Sequence, residues 1–370
     1  MKYHRMTIEV ESPEELGYGH IRNNLSESSI SDRILGELTV DLSGLTLLYG
    51  EHRGDLRLRE LIAHQGGSAA ITAADVLVTT GAAGALFIVA TALLERESHL
   101  VVVRPNYATN LETPRAIGCC VTHVDLAFEA GFRLDLAALE GAITPDTRLI
   151  SVTCPHNPTG TMLSWDELGQ LDRIAERHRC VLLVDETYRD LTYGTPYPTA
   201  ASISHRVVAV SSLSKAFGTP GLRLGWLMAQ DQTLMETFLA AKEQIGICGS
   251  VVDERLGIAV LEDRQPLLTT SRARNLRHLQ IVREWIAGEP LMEWVEPRGG
   301  VVCFPRMRLR PEFNMDRFYT SLLETHGTYV GPGHWFEMPK WYMRIGFGWP
   351  TEPELRDGLT GISAALREQG

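Results

Sequence analysis

The stretch SSLSKAFGTPGLRLGW, residues 211–226, sets a single lysine, Lys215, among small residues, with an arginine, Arg223, in the same segment. A solvated lysine needs no such surroundings. An amine used as a reagent does, because it must be desolvated and held among hydrogen-bonding or cationic neighbours before it can act as a nucleophile. Other catalytic signatures are missing from the sequence. TTGAAGAL carries only Gly81 and Gly84 of a dinucleotide-binding G-x-G-x-x-G, and Lys215 lacks the glycines of a phosphate-binding G-x-x-x-x-G-K loop. There is no H-E-x-x-H and no C-x-x-C, so no metal is expected. The serine elbow G-x-S-x-G is absent too.

The elements that must position this lysine follow from the apolar patterning. Runs such as VLLV and VVAV are apolar at every position, as expected for strands covered on both faces. DVLVTT, LVVV, LISVT, CVLLV and RVVAV each end in small or turn residues, and helical stretches such as SWDELGQLDRIAERH lie between several of them. The expected fold class is α/β: a mainly parallel central sheet with helices on both faces, plus a smaller α+β domain. Ligands of such sheets sit beyond the carboxyl ends of the strands. The residues there are Gly81–Ala82, Tyr107, Asn157, Asp185, Tyr188 and Ser212–Lys215. RLGWLMA reads as a strand with Arg223 as its first residue, and GDLRLRELIAHQ as a helix burying Leu56, Leu58 and Leu61–Ile62. Residues 1–48 read as an irregular arm, and the stretches around 292–307 and 329–349 as strands joined by Pro/Gly turns. PELRDGLTGISAALREQ reads as a final amphipathic helix. Residues 46–240 are the expected large domain, with 1–45 and 241–370 forming the arm and the smaller domain.

Composition narrows the function. A net charge of −11 argues against nucleic acid or an anionic membrane as the main partner. The longest apolar run, ALFIVATALL, is too short to span a bilayer, and the N-terminus lacks a secretory pattern. The cysteines at 119, 120, 154, 180, 248 and 303 suit no ordinary disulfide framework, so a reduced, cytoplasmic protein is expected.

An amine reagent with these strand-end neighbours fits pyridoxal phosphate, which forms a Schiff base with lysine and acts as an electron sink. That cofactor requires an acid at its pyridine nitrogen, donors for its phosphate and a flat side chain over its ring. Asp185, closing CVLLV, is the candidate acid. Ser212, Ser214 and Arg223, with the helix start at Gly81, Ala82 and Ala83, are candidate phosphate donors. Tyr107 offers a stacking ring. Taken singly, Asp185 is better explained as a helix cap, Asn157 as a turn residue and Lys215 as a solvated side chain. Their occurrence at one sheet edge favours the joint reading.

SLSKAFGTPGLRLGW, PHNPTG and VDETYRDL together resemble the class I/II aminotransferases, pyridoxal-phosphate enzymes of fold type I. The resemblance implies that Lys215 carries the cofactor and later moves the proton at the substrate's Cα. It implies that Asp185 pairs with the ring nitrogen and that Tyr188 and Asn157 bind the ring's phenolic oxygen. Arg344, in MRIGF, matches the arginine that pairs with the substrate carboxylate, beside Asn157. Tyr49, in LLYGEHRG, resembles a tyrosine that reaches the phosphate from a neighbouring subunit, which implies a homodimer.

The reaction stays open between several outcomes. Transamination is the common one for this motif set. PHNPTG, PRGGVVCFPR and VGPGHWF are also similar to capreomycidine-synthase-like cyclases, which act on hydroxylated arginine by elimination and ring closure. A cofactor-binding sensor without turnover is a distant third. Glu27, Glu51 and Asp55 are candidates to meet a cationic substrate side chain, although each taken singly reads more readily as a solvated loop acid.

Overall fold

The computed structural model describes residues 1–308 and 312–368. In chain order its helices are α1 (Thr7–Val10), α2 (Pro13–Leu16), α3 (Leu56–Gln65), α4 (Gly81–Leu93), α5 (Thr109–Ile117), α6 (Leu136–Gly141), α7 (Trp165–His178), α8 (Gln232–Gly246), α9 (Val251–Glu262), α10 (Arg264–Gly288), α11 (Met315–Glu324) and α12 (Glu352–Glu368). The strands of the main sheet are β2 (Val76–Thr80), β3 (His99–Arg104), β4 (Cys120–Asp125), β5 (Thr147–Thr153), β6 (Val181–Asp185), β7 (Val207–Ser212) and β8 (Leu224–Met228). The remaining strands are β1 (Asn23–Leu25), β9 (Met292–Glu293), β10 (Val302–Cys303), β11 (Arg306–Met307), β12 (Thr328–Pro332) and β13 (Met343–Gly346).

The seven strands run in the order β2-β8-β7-β6-β5-β3-β4. All neighbours are parallel except β8, which is antiparallel to both β2 and β7. The uniformly apolar runs are the reason for this burial. Along β6, Leu182 and Val184 pack with Leu168, Leu171 and Ile174 of α7, while Leu183 faces the opposite layer with Leu86 and Val89 of α4 and Phe238 of α8. A strand covered on both sides has no solvent face for polar residues, so its pattern cannot alternate. A second sheet has the order β1-β12-β13-β10, with β1 parallel to β12 and the other pairs antiparallel.

Three expectations are corrected. The first 48 residues are less irregular than their composition suggests, since they hold α1, α2 and β1. Ser12 caps α2 through the Glu15 N–H and Pro13 opens it, the standard use of these residues at a helix start. In α3 the buried stripe runs through Leu58, Ile62 and Gln65, while Leu56 is exposed. Position 56 lies two residues before 58, on another side of a helix of 3.6 residues per turn. Around 292–307 the pieces are two-residue strands: β9 pairs with β11, whereas β10 joins β13. The expected C-terminal helix forms as α12, its last predicted residue, Gln369, lying outside the described residues.

The long helix α10 is tied to the segment that follows β6. Asp190 is buried and accepts from Arg264 Nη2 at 2.9 Å, while its carbonyl accepts from Arg272 Nε at 2.8 Å. A buried carboxylate holds its charge only with such partners, so this cluster fixes the chain a few residues beyond Asp185.

Candidate active site

A cavity of about 510 Å³ opens at the carboxyl ends of the parallel strands. Tyr107 follows β3, Asn157 follows β5, Asp185 ends β6 and Ser212 ends β7, and all four line it together with Ala82, Ala83, Tyr188, Ser214, Lys215, Arg223, Arg344 and Glu27. Residues as far apart in sequence as Glu27 and Arg344 thus meet in one chamber.

Lys215 points its amine at the Ser28 hydroxyl, 3.1 Å away. Burial pulls the pKa of this amine below its ordinary value, Glu27 opposes that shift, and Arg344 and Arg223 reinforce it. Asp185 is buried, which pushes its carboxyl up; Thr187 counters this by donating from its hydroxyl at 2.6 Å and its N–H at 3.0 Å. Asn106, fully buried, accepts from the Tyr107 N–H at 2.7 Å, Asn110 Nδ2 at 3.2 Å and the Thr153 hydroxyl at 3.0 Å. It therefore holds the floor on the Tyr107 side.

The phosphate-type corner forms where α4 meets β8. Thr80 makes no side-chain cap, so the first N–H groups of α4 remain available to an anion. Gly225 is what allows the approach: a Cβ there would lie 2.3 Å from the Gly81 carbonyl carbon and 2.6 Å from the Ala82 nitrogen. The Arg223 guanidinium lies against Gly81 and donates to the Pro220 carbonyl at 2.9 Å. Arg223 is not the first residue of a strand as expected. It precedes β8 with φ of 48°, a left-handed turn that swings its side chain back to the start of α4. Gly81 opens α4 but is not among the cavity's lining residues.

Arg344 stands on β13, buried, and donates to the Asn157 side-chain oxygen at 3.2 Å and the Ser26 carbonyl at 2.7 Å. Its carbon Cζ is 5.1 Å from the Phe336 ring centre and 6.0 Å from that of Trp335. Its Nε has no partner among the described residues, the mark of a guanidinium with donor capacity to spare for an anion. Gly346, on the same strand, lets the chain pass the Glu27 carbonyl, which a Cβ would approach to 1.8 Å.

Sequence reasoning missed the cover of the cavity. Glu9 of α1, Glu14 of α2, Tyr18 and Asp32 all line it. The cover is pinned by Glu11, whose carboxylate accepts from Trp335 Nε1 at 2.6 Å and meets His334 Nε2 at 2.8 Å. The Tyr18 hydroxyl donates to Glu27 at 3.0 Å, and burial raises the pKa of both Glu27 and Glu9. The serine-proline-glutamate start of α2 was the available signal.

Other expectations lie elsewhere. Glu51 and Asp55 line a separate groove, where Glu51 accepts from Arg59 at 2.8 Å and Asp55 caps α3. Tyr49 lines that groove too and is 81% exposed, away from the cavity of its own chain. Tyr188 reaches the cavity, but its hydroxyl donates to the Ser28 carbonyl at 2.7 Å, with burial pushing its pKa up to about 12.

These residues fit pyridoxal phosphate: a desolvated amine, a buried acid, an open helix start beside an arginine, and a buried arginine with an unused donor. Comparison with known proteins agrees. The model for aminotransferase class I and II matches residues 23–362. Capreomycidine synthase of Streptomyces vinaceus is 31% identical, over 94% of this chain and 91% of its own. Arginine–pyruvate transaminase of Pseudomonas aeruginosa is 30% identical, over 86% and 82%. The structure of the PLP-dependent cyclase OrfR superposes with a TM-score of 0.88 at 29% identity, over 100% of this chain and 99% of that one. The chain therefore belongs to the class I and II aminotransferases, and is a pyridoxal-phosphate-dependent enzyme of fold type I.

Proposed function

We propose that the chain is an aminotransferase for an L-amino acid with a basic side chain. One observation carries the substrate class: Glu9, Glu14, Glu27 and Asp32 line the same cavity as Lys215 and Arg344. Acidic side chains sharing a cavity with a carboxylate-binding arginine suit a molecule with an anionic head and a cationic tail. The similarity to a transaminase named for arginine supports the same class.

When bound, pyridoxal phosphate supplies an electron sink for negative charge at Cα. Asp185 would hold its ring nitrogen, and Tyr107 would stack on its face. Ser212, Ser214, Arg223 and the N–H groups of Gly81, Ala82 and Ala83 would hold its phosphate. Asn157 is a donor for its phenolic oxygen; Tyr188 is a second, and serving there means releasing Ser28. Arg344, oriented by Asn157, grips the substrate carboxylate and so fixes which Cα bond faces Lys215. The lowered pKa of Lys215 favours its neutral form, which can accept the Cα proton and later give it up again.

We further infer a cytoplasmic homodimer. Leu47, Leu48 and Tyr49 expose apolar surface beside the groove between residues 41–55 and α9, and Tyr49 would serve the partner's phosphate site. The unpaired cysteines suit a reducing compartment. No helix among the described residues is long and apolar enough to cross a membrane. Residues 46–240 form the cofactor-holding domain in this reading, and 1–45 with 241–370 the smaller one.

The second reading is elimination and ring closure, favoured by the similarity to capreomycidine synthase along 94% of the chain. Mass spectrometry of products separates the two. The loaded enzyme is incubated with arginine, its hydroxylated forms, and aromatic and acidic amino acids, with and without a 2-oxo acid. Turnover of arginine-type donors that requires the 2-oxo acid supports transamination. Water loss without one replaces it by the second reading. Strict preference for glutamate or aspartate overturns the basic-substrate assignment.

A further inference from the structure

The segment Ser26–Glu27–Ser28 touches every catalytic group on its side of the cavity. The Ser26 carbonyl accepts from Arg344, the Ser28 carbonyl accepts from Tyr188, and the Ser28 hydroxyl meets the Lys215 amine. Among the described residues, that hydroxyl is the amine's only hydrogen-bond partner. The contact is also anchored by backbone: the Ile30 N–H donates to the Lys215 carbonyl at 3.2 Å, and the Arg33 N–H to the Gly218 carbonyl at 2.8 Å. Residues 28–33 therefore run alongside 215–218 as a fixed strip. On the other side, β13 packs against the Glu27 carbonyl through Gly346. Ser28 is itself buried.

A hydroxyl suits this position for a chemical reason. It accepts a hydrogen bond from an ammonium and donates one to a neutral amine, so it can partner both protonation states of a proton carrier. A carbonyl can only accept. A carboxylate would favour the ammonium and hold the proton.

We infer that Ser28 is a positioning residue for proton transfer: its hydroxyl docks the free Lys215 amine and aims the nitrogen at Cα. The inference rests on the reading above that Lys215 moves the Cα proton. The charged groups around the amine are Glu27 on the same segment, Glu9 on α1, Glu14 on α2, Asp185 ending β6, Arg223 before β8 and Arg344 on β13. None of them is altered when Ser28 is replaced.

The test compares Ser28→Ala and Ser28→Thr with the native chain by two readouts. In the cofactor-free protein, Lys215 is labelled with pyridoxal and borohydride across a pH series and quantified by mass spectrometry. The hydroxyl's bond to the ammonium is charge-assisted and stronger than its bond to the neutral amine, so the midpoint of labelling should fall in Ser28→Ala and return in Ser28→Thr. In the loaded enzyme, using the best donor of the product screen deuterated at Cα, Ser28→Ala should lower kcat about 10- to 100-fold. KM should hold, the isotope effect should rise, and Ser28→Thr should recover both. A labelling midpoint in Ser28→Ala equal to the native one, or failure of Ser28→Thr to restore it, overturns the inference. Lys215→Ala separates the two levels. If it still exchanges the Cα proton, the role of Lys215 fails; if it is inert while Ser28→Ala behaves as native, only Ser28 fails.

Discussion

Lys215 and Arg344 draw their chemistry from opposite uses of burial. For the lysine, burial favours the neutral amine, which is the form that accepts a proton. For the arginine, charge is retained in a buried setting by Asn157, the Ser26 carbonyl and two aromatic faces. A lysine at 344 would keep the charge and lose the planar fork that matches a carboxylate. Arg344→Lys should therefore lower kcat/KM for the amino acid by roughly 10- to 100-fold, with cofactor binding unchanged. Steady-state kinetics and a cofactor titration check this, and native kcat/KM would contradict it. At this scale the sequence was informative where a motif carried the residue, as for Lys215, Asp185, Asn157 and Arg344. It was silent on Ser28, whose bond to Tyr188 spans 160 positions. It misplaced Arg223 as the first residue of a strand, because a positive φ at a non-glycine residue leaves no compositional trace.

The elements explain why those residues converge. Strand ends deliver Tyr107, Asn157, Asp185 and Ser212 to one edge, and α4 delivers its N-terminus because Gly225 leaves room for it. Gly225→Ala would drive a methyl into the Gly81 and Ala82 backbone, where no flexible side chain can yield. The expected cost is about 1–3 kcal/mol in folding stability, with cofactor affinity weakened about tenfold or more. Chemical denaturation and fluorescence titration measure both, and native values would show that α4 shifts freely. The central strands were legible because runs such as VLLV are apolar at every position. The cover was not, because α1 and α2 each span four residues and are too short for any periodicity. Strand β1 is NNL, polar in sequence yet fully buried, since its asparagine at 23 is satisfied by the Thr328 hydroxyl across the strand pair.

At the scale of the whole molecule, the chamber lies between two sheets: the main sheet supplies the groups proposed to hold the cofactor, and the smaller sheet supplies Arg344 and, after β1, the Ser26–Ser28 strip. The acidic cover is tied to the smaller sheet's side through Glu11, which grips His334 and Trp335. Everything in this account depends on which amine carries the cofactor. The sequence offers lysines at 2, 215, 242 and 340. Lys242 is the instructive competitor, buried and also shifted down by burial, yet it donates to the His52 carbonyl outside the cavity. Borohydride reduction of the cofactor-loaded protein, followed by peptide mapping, decides between them. The account predicts one reduced pyridoxyl group per chain, on Lys215, and no amino-acid turnover by Lys215→Ala. A label on Lys242, or undiminished turnover in Lys215→Ala, would contradict it.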